Sequence, residues 1–266
     1  MSETASTPKR PAALLALAAL AALLSACGGS GAPSASGPAA SAGPAPASAL
    51  APVHGPYAPA IEPANFTSRV DNPYFPLPVG RTWRMEGVAE DGHTPQTDTM
   101  TVTPRTKTIM GVETVVVHDR ITSRGRPVEN TFDWYAQDRA GNVWYFGERS
   151  LNYEHGRFVL DPGSWTGGVG GALPGIVMPA DPRPGESYRQ EYYPRHAMDQ
   201  ARVLGIGGPP LRTPYRTFRT TLSTEETTVL EPDVRERKWY ARGIGEVHEA
   251  DVAGSKERFS LVSVRG

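Results

Sequence analysis

Residues 132–148, FDWYAQDRAGNVWYFGE, constrain the fold of this chain more than any other stretch. Phe132, Trp134 and Ala136 alternate with Asp133, Tyr135 and Gln137, which is the period of a strand with two unlike faces. Residues 138–141 have the composition of a hairpin turn, and 142–146 return as a second strand. A shorter version, KWYARGIGEVHEA, recurs at residues 238–250. Trp134-Tyr135-Ala136 and Trp239-Tyr240-Ala241 are 105 positions apart.

Other matches keep the same order. Gly80-Arg81-Thr82-Trp83-Arg84 matches Gly185-Glu186-Ser187-Tyr188-Arg189, also at 105. Gly141 and Val143 match Gly245 and Val247 at 104, and Arg157-Phe158 matches Arg258-Phe259 at 101. Collinear matches that lose only a few residues in turns indicate duplication. The expected fold is all-β: a duplicated antiparallel meander, about five strands per copy, forming a β-roll or open barrel. The copies run over about 66–160 and 179–266, within a domain that begins at Ile61. Between them, residues 163–178, GSWTGGVGGALPGIVM, belong to neither copy and read as an irregular apolar loop that covers a surface or binds something.

The chain has 266 residues and a formal net charge of −1, so no basic excess points to nucleic acid. Its one cysteine, Cys27, rules out a disulfide framework or a thiolate metal cluster. Lys9 and Arg10 precede an apolar run at 12–24 that is too short to span a bilayer. Leu24-Ser25-Ala26-Cys27 follows and resembles a bacterial lipobox. That resemblance implies a signal peptide over 1–26 and lipidation of Cys27, with the membrane as partner through the acyl chains. Gly28 stands where an Asp favours inner-membrane retention, which in a Gram-negative cell points to the outer membrane, facing the periplasm or the cell surface. Residues 27–60 are nearly all Gly, Ala, Ser and Pro and read as a disordered tether with a reach of roughly 30 Å.

The order Tyr74-Phe75-Pro76-Leu77, Gly80-Arg81-Thr82-Trp83, a Val-rich strand at 112–121, Thr213–Phe218 and Trp239–Val247 resembles the TapB-like envelope proteins and their spiral β-roll relatives, a family of largely undefined function. Arg216 departs from that pattern, which has Gly there. The resemblance implies an antiparallel β-roll and an envelope location, and it carries over no catalytic residue.

Motifs for zinc proteases, nucleophile elbows, phosphate loops and dinucleotide binding are absent, and no metal ligand set or cofactor site is read from the sequence. Asp133, Asp138, Glu148, Glu191 and Asp199 would converge if the two copies face one another, and a carboxylate pair can hydrolyse glycosides. Because the copies share their packing residues, distinctive function is expected where they differ. The candidate ligand-binding residues are Asp138 and Glu148 of the first copy, Trp165 and Met178 of the insert, and Glu191 from the carboxylates able to converge. The leading expectation is a non-enzymatic envelope lipoprotein that binds a ligand or an envelope protein. A secreted-type hydrolase and a structural surface protein are the alternatives. Changing Cys27→Ser should move the protein from the membrane to the soluble fraction and abolish metabolic labelling by a palmitate analogue; labelling that survives the change rules out Cys27 as the lipidation site.

Overall fold

The computed structural model describes residues 45–266. The expected signal peptide, Cys27 and residues 28–44 of the expected tether lie outside the described residues. The remainder of the expected tether is packed, which moves the start of the folded region ahead of Ile61. A short helix, α1 (Ala47–Leu50), sets Ala47 against the barrel, and Ala51 and Tyr57 are buried as well. Arg189 supplies what the composition did not reveal. Its backbone N–H donates to the Ala51 carbonyl, and its guanidinium donates to the carbonyls of Pro52 and Val53 at 2.8 Å each. Proline-rich chain exposes carbonyls without matching donors, and Arg189 satisfies three of them here.

A lead-in strand, β1 (Phe66–Thr67), is followed by a meander of β2 (Thr82–Val88), β3 (Pro95–Ile109), β4 (Val112–Ser123), β5 (Arg126–Asp138), β6 (Val143–Glu154) and β7 (Arg157–Leu160). Each strand of the meander is antiparallel to its predecessor, and β1 adds to β5. Two strands, β8 (Trp165–Thr166) and β9 (Leu173–Met178), then pair with β6. Beyond them come β10 (Ser187–Arg189), β11 (Glu191–Tyr192), β12 (Asp199–Gly207), a small hairpin of β13 (Leu211–Arg212) and β14 (Thr217–Phe218), β15 (Thr221–Thr228), β16 (Arg235–Ala241), β17 (Gly245–Ala253) and β18 (Arg258–Arg265). The last strand, β18, pairs with β2 and joins the two meanders into one sheet.

Closure occurs at the opposite ends of that sheet. β10 pairs with β12, β11 pairs with β9, and only Gln190 separates β10 from β11. Residues 187–192 are therefore one strand that bonds first to one edge and then to the other, and the sheet curls into a nearly closed barrel. This corrects the reading of residues 163–178 as an irregular loop. Their last six residues form β9, a stave of the wall, with Ile176 and Met178 fully buried.

The two meanders correspond in register. The Gly80 N–H donates to the Val102 carbonyl and the Val102 N–H to that of Arg81; Gly185, Val203 and Glu186 repeat both bonds. The β3–β4 ladder is interrupted just after Val102, and the β12–β15 ladder just after Val203. The β5–β6 ladder shifts register between Trp134 and Tyr135, where β6 carries the extra residue Phe146, and the β16–β17 ladder shifts between Trp239 and Tyr240, where β17 carries Val247. Register also revises one sequence match. Tyr145 lies opposite Tyr135 as Glu246 lies opposite Tyr240, so Gly141 and Val143 are not the equivalents of Gly245 and Val247.

Gly175 on β9 makes closure possible. A Cβ there would lie 2.4 Å from the Gln190 carbonyl carbon and 2.6 Å from the Arg189 oxygen, both backbone atoms that cannot rotate away. Gly175→Ala should therefore lower the unfolding free energy by about 1–3 kcal/mol. Gly205→Ala, on β12 with nothing within 4 Å, should stay within about 0.5 kcal/mol of the parent. Equal midpoints for the two variants in denaturant unfolding would show that closure does not depend on this approach.

Candidate functional site

The barrel surrounds a partly open cavity of about 340 Å³, within the roughly 300–1,000 Å³ typical of small-molecule sites. Strand alternation turns an unusual set of side chains into it. Asp98 and Met100 come from β3, Val117, Asp119 and Ile121 from β4, Asp133 and Tyr135 from β5, and Tyr145 and Glu148 from β6. The second meander contributes Asp199 from β12, Glu226 from β15, Lys238 and Tyr240 from β16, and Glu246 and Glu249 from β17. Glu191 and Gln190 enter from the closing strand, and Phe75, Pro76 and Leu77 border the space. Ten lining residues are acidic, and Lys238 alone is basic. Ten ionised carboxylates cannot coexist in so small a space with a single ammonium, so the cavity must hold protons or take up further positive charge.

Lys238 shows how the wall treats a cation. Its ammonium lies 3.3 Å from Glu226, 3.4 Å from Glu236 and 3.8 Å from Glu249. Burial alone would lower its pKa, but these three carboxylates and Glu246 outweigh it and hold the amine charged well above its ordinary range. An ionised contact at such distances contributes about 4 kcal/mol of attraction at an effective dielectric constant near 20, against a desolvation cost of several kcal/mol; burial, and then neighbouring carboxylates, also push Glu236 and Glu249 above the usual carboxylate range.

Asp133 and Glu148 stand directly opposite each other on β5 and β6. The Tyr145 hydroxyl lies 2.7 Å from Asp133 Oδ1 and 2.9 Å from Glu148 Oε2. A phenol has one proton to donate, so one carboxyl of the pair must be protonated and donate in turn. Burial accordingly raises Glu148 to about 7, opposed by the Tyr145 hydrogen bond and reinforced by Glu129, Asp161 and Asp199. Burial together with Glu148 and Asp119 also raises Asp133. Asp98 is 6% exposed, and its Oδ1, like that of Asp119, meets no hydrogen-bond donor among the described residues. The two carboxyls lie against one another, and burial followed by repulsion from Asp119 pushes Asp98 well above the usual carboxylate range.

Of the residues singled out from sequence, Glu148 and Glu191 line the cavity and Trp165 stands one layer behind it. The Trp165 indole N–H donates to Glu191 Oε2 at 2.8 Å, and its ring packs edge-on against Tyr145. Asp138 does not join them. On the face of β5 opposite to Asp133, it accepts from the backbone N–H and side-chain amide of Asn142 and from the Trp144 indole, which closes the hairpin. Met178 is also elsewhere, fully buried opposite Val143 as packing. Asp98, Asp119, Glu226, Lys238, Glu246 and Glu249 were not singled out. Their signal was an acidic residue on the inward face of nearly every long strand, legible only once register assigns that face.

No protein-family model matches the chain, and no curated protein does. Two solved structures are similar in shape. One, from Bacteroides fragilis NCTC 9343, is described as an exported protein with a YmcC-like fold; it is 14% identical, with a TM-score of 0.41 over 73% of this chain and 99% of its own. The other, from Parabacteroides distasonis ATCC 8503, is described as a lipoprotein; it is 14% identical, with a TM-score of 0.33 over 72% of this chain and 98% of its own.

Burial raises Glu148 and Glu246 to about 7 and Asp199 to about 6. Between the ordinary carboxylate range and these values the folded state binds more protons than the unfolded chain. Stability should therefore fall as pH rises from about 4.5 to above 7, by about 3 kcal/mol for a group raised as far as Glu148. Glu148→Gln, which keeps a neutral side chain at every pH, should flatten the profile. A melting temperature that rises from pH 5 to pH 8 would contradict this account of the cavity.

Proposed function

We propose that this chain is a non-enzymatic binding protein of the cell envelope that takes a small organic cation into its barrel. The observation that carries the reading is the charge of the cavity wall, ten acidic residues against one lysine. Aromatic rings complete a surface suited to a cation with an apolar body. Tyr135 stacks on Tyr145 at 4.9 Å between centroids, and Phe75 tilts against Tyr135 at 5.3 Å. Carboxylates attract the charge, ring faces add cation–π attraction, and the rest of the ligand replaces water along the rings. The envelope part of the proposal rests on the n-region, the apolar run and Cys27, with residues 28–44 as a tether from the lipid to the barrel. The short motifs shared with TapB-like envelope proteins are in keeping with it.

One observation favours a second reading. Asp133 and Glu148 share a tyrosine hydroxyl, and Glu148 stays protonated near neutrality, so the pair has the makings of a general acid beside a carboxylate base. One set of samples separates the two. In thermal-shift measurements at pH 7.5 and low salt, small organic cations should raise the melting temperature of the full chain by several degrees. Neutral sugars and organic anions should not, and the effect should shrink at pH 5, where the carboxyls are protonated. Stabilisation by sugars or anions alone removes the cation reading. Hydrolysis of glycosides or esters that disappears in Glu148→Gln establishes the second one.

A further inference from the structure

Because the two meanders correspond in register, each cavity residue of one has an equivalent in the other. Asp98 lies opposite Ile121 on the neighbouring strand as Asp199 lies opposite Thr228, which makes Asp98 and Asp199 equivalent. Val117 pairs with Val102 on one side and Asp133 on the other, and Thr224 pairs with Val203 and Lys238 in the same way. Asp119 therefore corresponds to Glu226, and Asp133 to Lys238. Asp133 faces Glu148 as Lys238 faces Glu249. Four positions thus form one subsite in each half of the barrel. Three are acidic in both halves, and the fourth is a carboxylate in the first and an ammonium in the second.

The difference has a chemical consequence. In the second subsite the chain supplies its own cation, held by carboxylates 3.3–3.8 Å away. In the first, among the described residues, no basic side chain pairs with Asp98, Asp119, Asp133 or Glu148, and the buried Asp98 Oδ1 lacks a donor. We propose that the first subsite seats the cationic group of the ligand, and that this group is a primary ammonium equivalent to the one Lys238 presents in the second. The inference rests on the cation-binding reading above and narrows it to a ligand class and a place: a primary amine with a short apolar body.

Three features select that class. A primary ammonium has three N–H donors, which matches a wall where several carboxyls converge without a ring of donors between them. A divalent metal fits less well, because no three His, Asp or Glu side chains among the described residues are arranged to hold one. The Phe75, Tyr135 and Tyr145 rings run alongside the subsite and would cover a short hydrocarbon or aryl body.

The test is isothermal titration of the full chain at pH 7.5 and low salt with 2-phenylethylamine, tetramethylammonium and calcium chloride as probes. Saturable binding of one equivalent of 2-phenylethylamine is expected, with tetramethylammonium and calcium at least tenfold weaker. Asp133→Asn, nearly isosteric, should weaken the amine at least tenfold. Asp133→Lys, which repeats the second subsite in the first, should abolish binding and raise the melting temperature of the ligand-free protein. Calcium or tetramethylammonium binding in preference to the amine overturns the ammonium assignment but leaves the cation reading standing. Undiminished amine binding by both Asp133 variants overturns the placement alone. Silence from all three probes, in a parent that unfolds cooperatively, overturns the cation reading and this inference together.

Discussion

Everything inside the barrel depends on residues 187–192 bonding to both edges of the sheet. Ser187–Arg189 takes β12 as its partner and Glu191–Tyr192 takes β9, with a change of direction at Gln190, whose N–H still donates to the Asp199 carbonyl at 2.8 Å. The switch requires backbone to approach backbone at Gly175. It also delivers Glu191 to the cavity and Tyr188 to the core, where Tyr188 is fully buried. Without this strand the two meanders would form an open sheet, and their inward carboxyls would face water at little cost. Closure is what turns ordinary strand polarity into an electrostatic problem.

The wall resolves that problem differently on its two sides. Around Lys238 the resolution is an ion cluster within the protein, with Glu226, Glu236 and Glu249 arrayed about one ammonium. Around Asp133 and Glu148 it is a proton held between carboxyls and a phenol. A proton is exchangeable where a lysine is not. Burial raises Glu246 to about 7 and Asp199 to about 6, so protons are held in the second half too, but among the described residues the first half has no cation of its own beside them.

The fold was largely legible in the sequence because its signals are local. Alternation in 132–148, the Trp-Tyr-Ala echo and the Gly80/Gly185 match are recovered as paired strands with matching hydrogen bonds. Residues 163–178 misled because glycine content signals a loop, whereas Gly175 is there for the close approach within a strand. Residues 45–60 misled because their order depends on Arg189, more than 130 positions away. The candidate site was legible only in part, for a related reason. Glu148 drew notice as a difference between the copies and Glu191 as one of the carboxylates able to converge, but Asp98, Asp119, Glu226 and Glu249 carried no local signal that set them apart. Which face of a strand is wet is decided by closure, and closure is a property of the whole sheet. Asp138, the most conspicuous acid of the opening hairpin, proved to be a hairpin clasp satisfied by three donors.

The order of the strands around the barrel also bears on how the chain reaches this state. β18 sits between β17 and β2, and Arg265 pairs with Thr82, so the β2 edge of the first meander is covered by a strand from the far end of the second. The seam at the other side is fastened by some of the earliest described residues, Ser48 to Glu186, Pro52 and Val53 to Arg189 and Tyr57 to Pro174, across separations of 117 to 138 positions. Contacts this distant pay their loop-closure entropy before they return any stability. Each meander is built from neighbouring strands, whereas the walls of the cavity are joined by contacts of residues 48–57 and of β18 with strands more than 100 positions away.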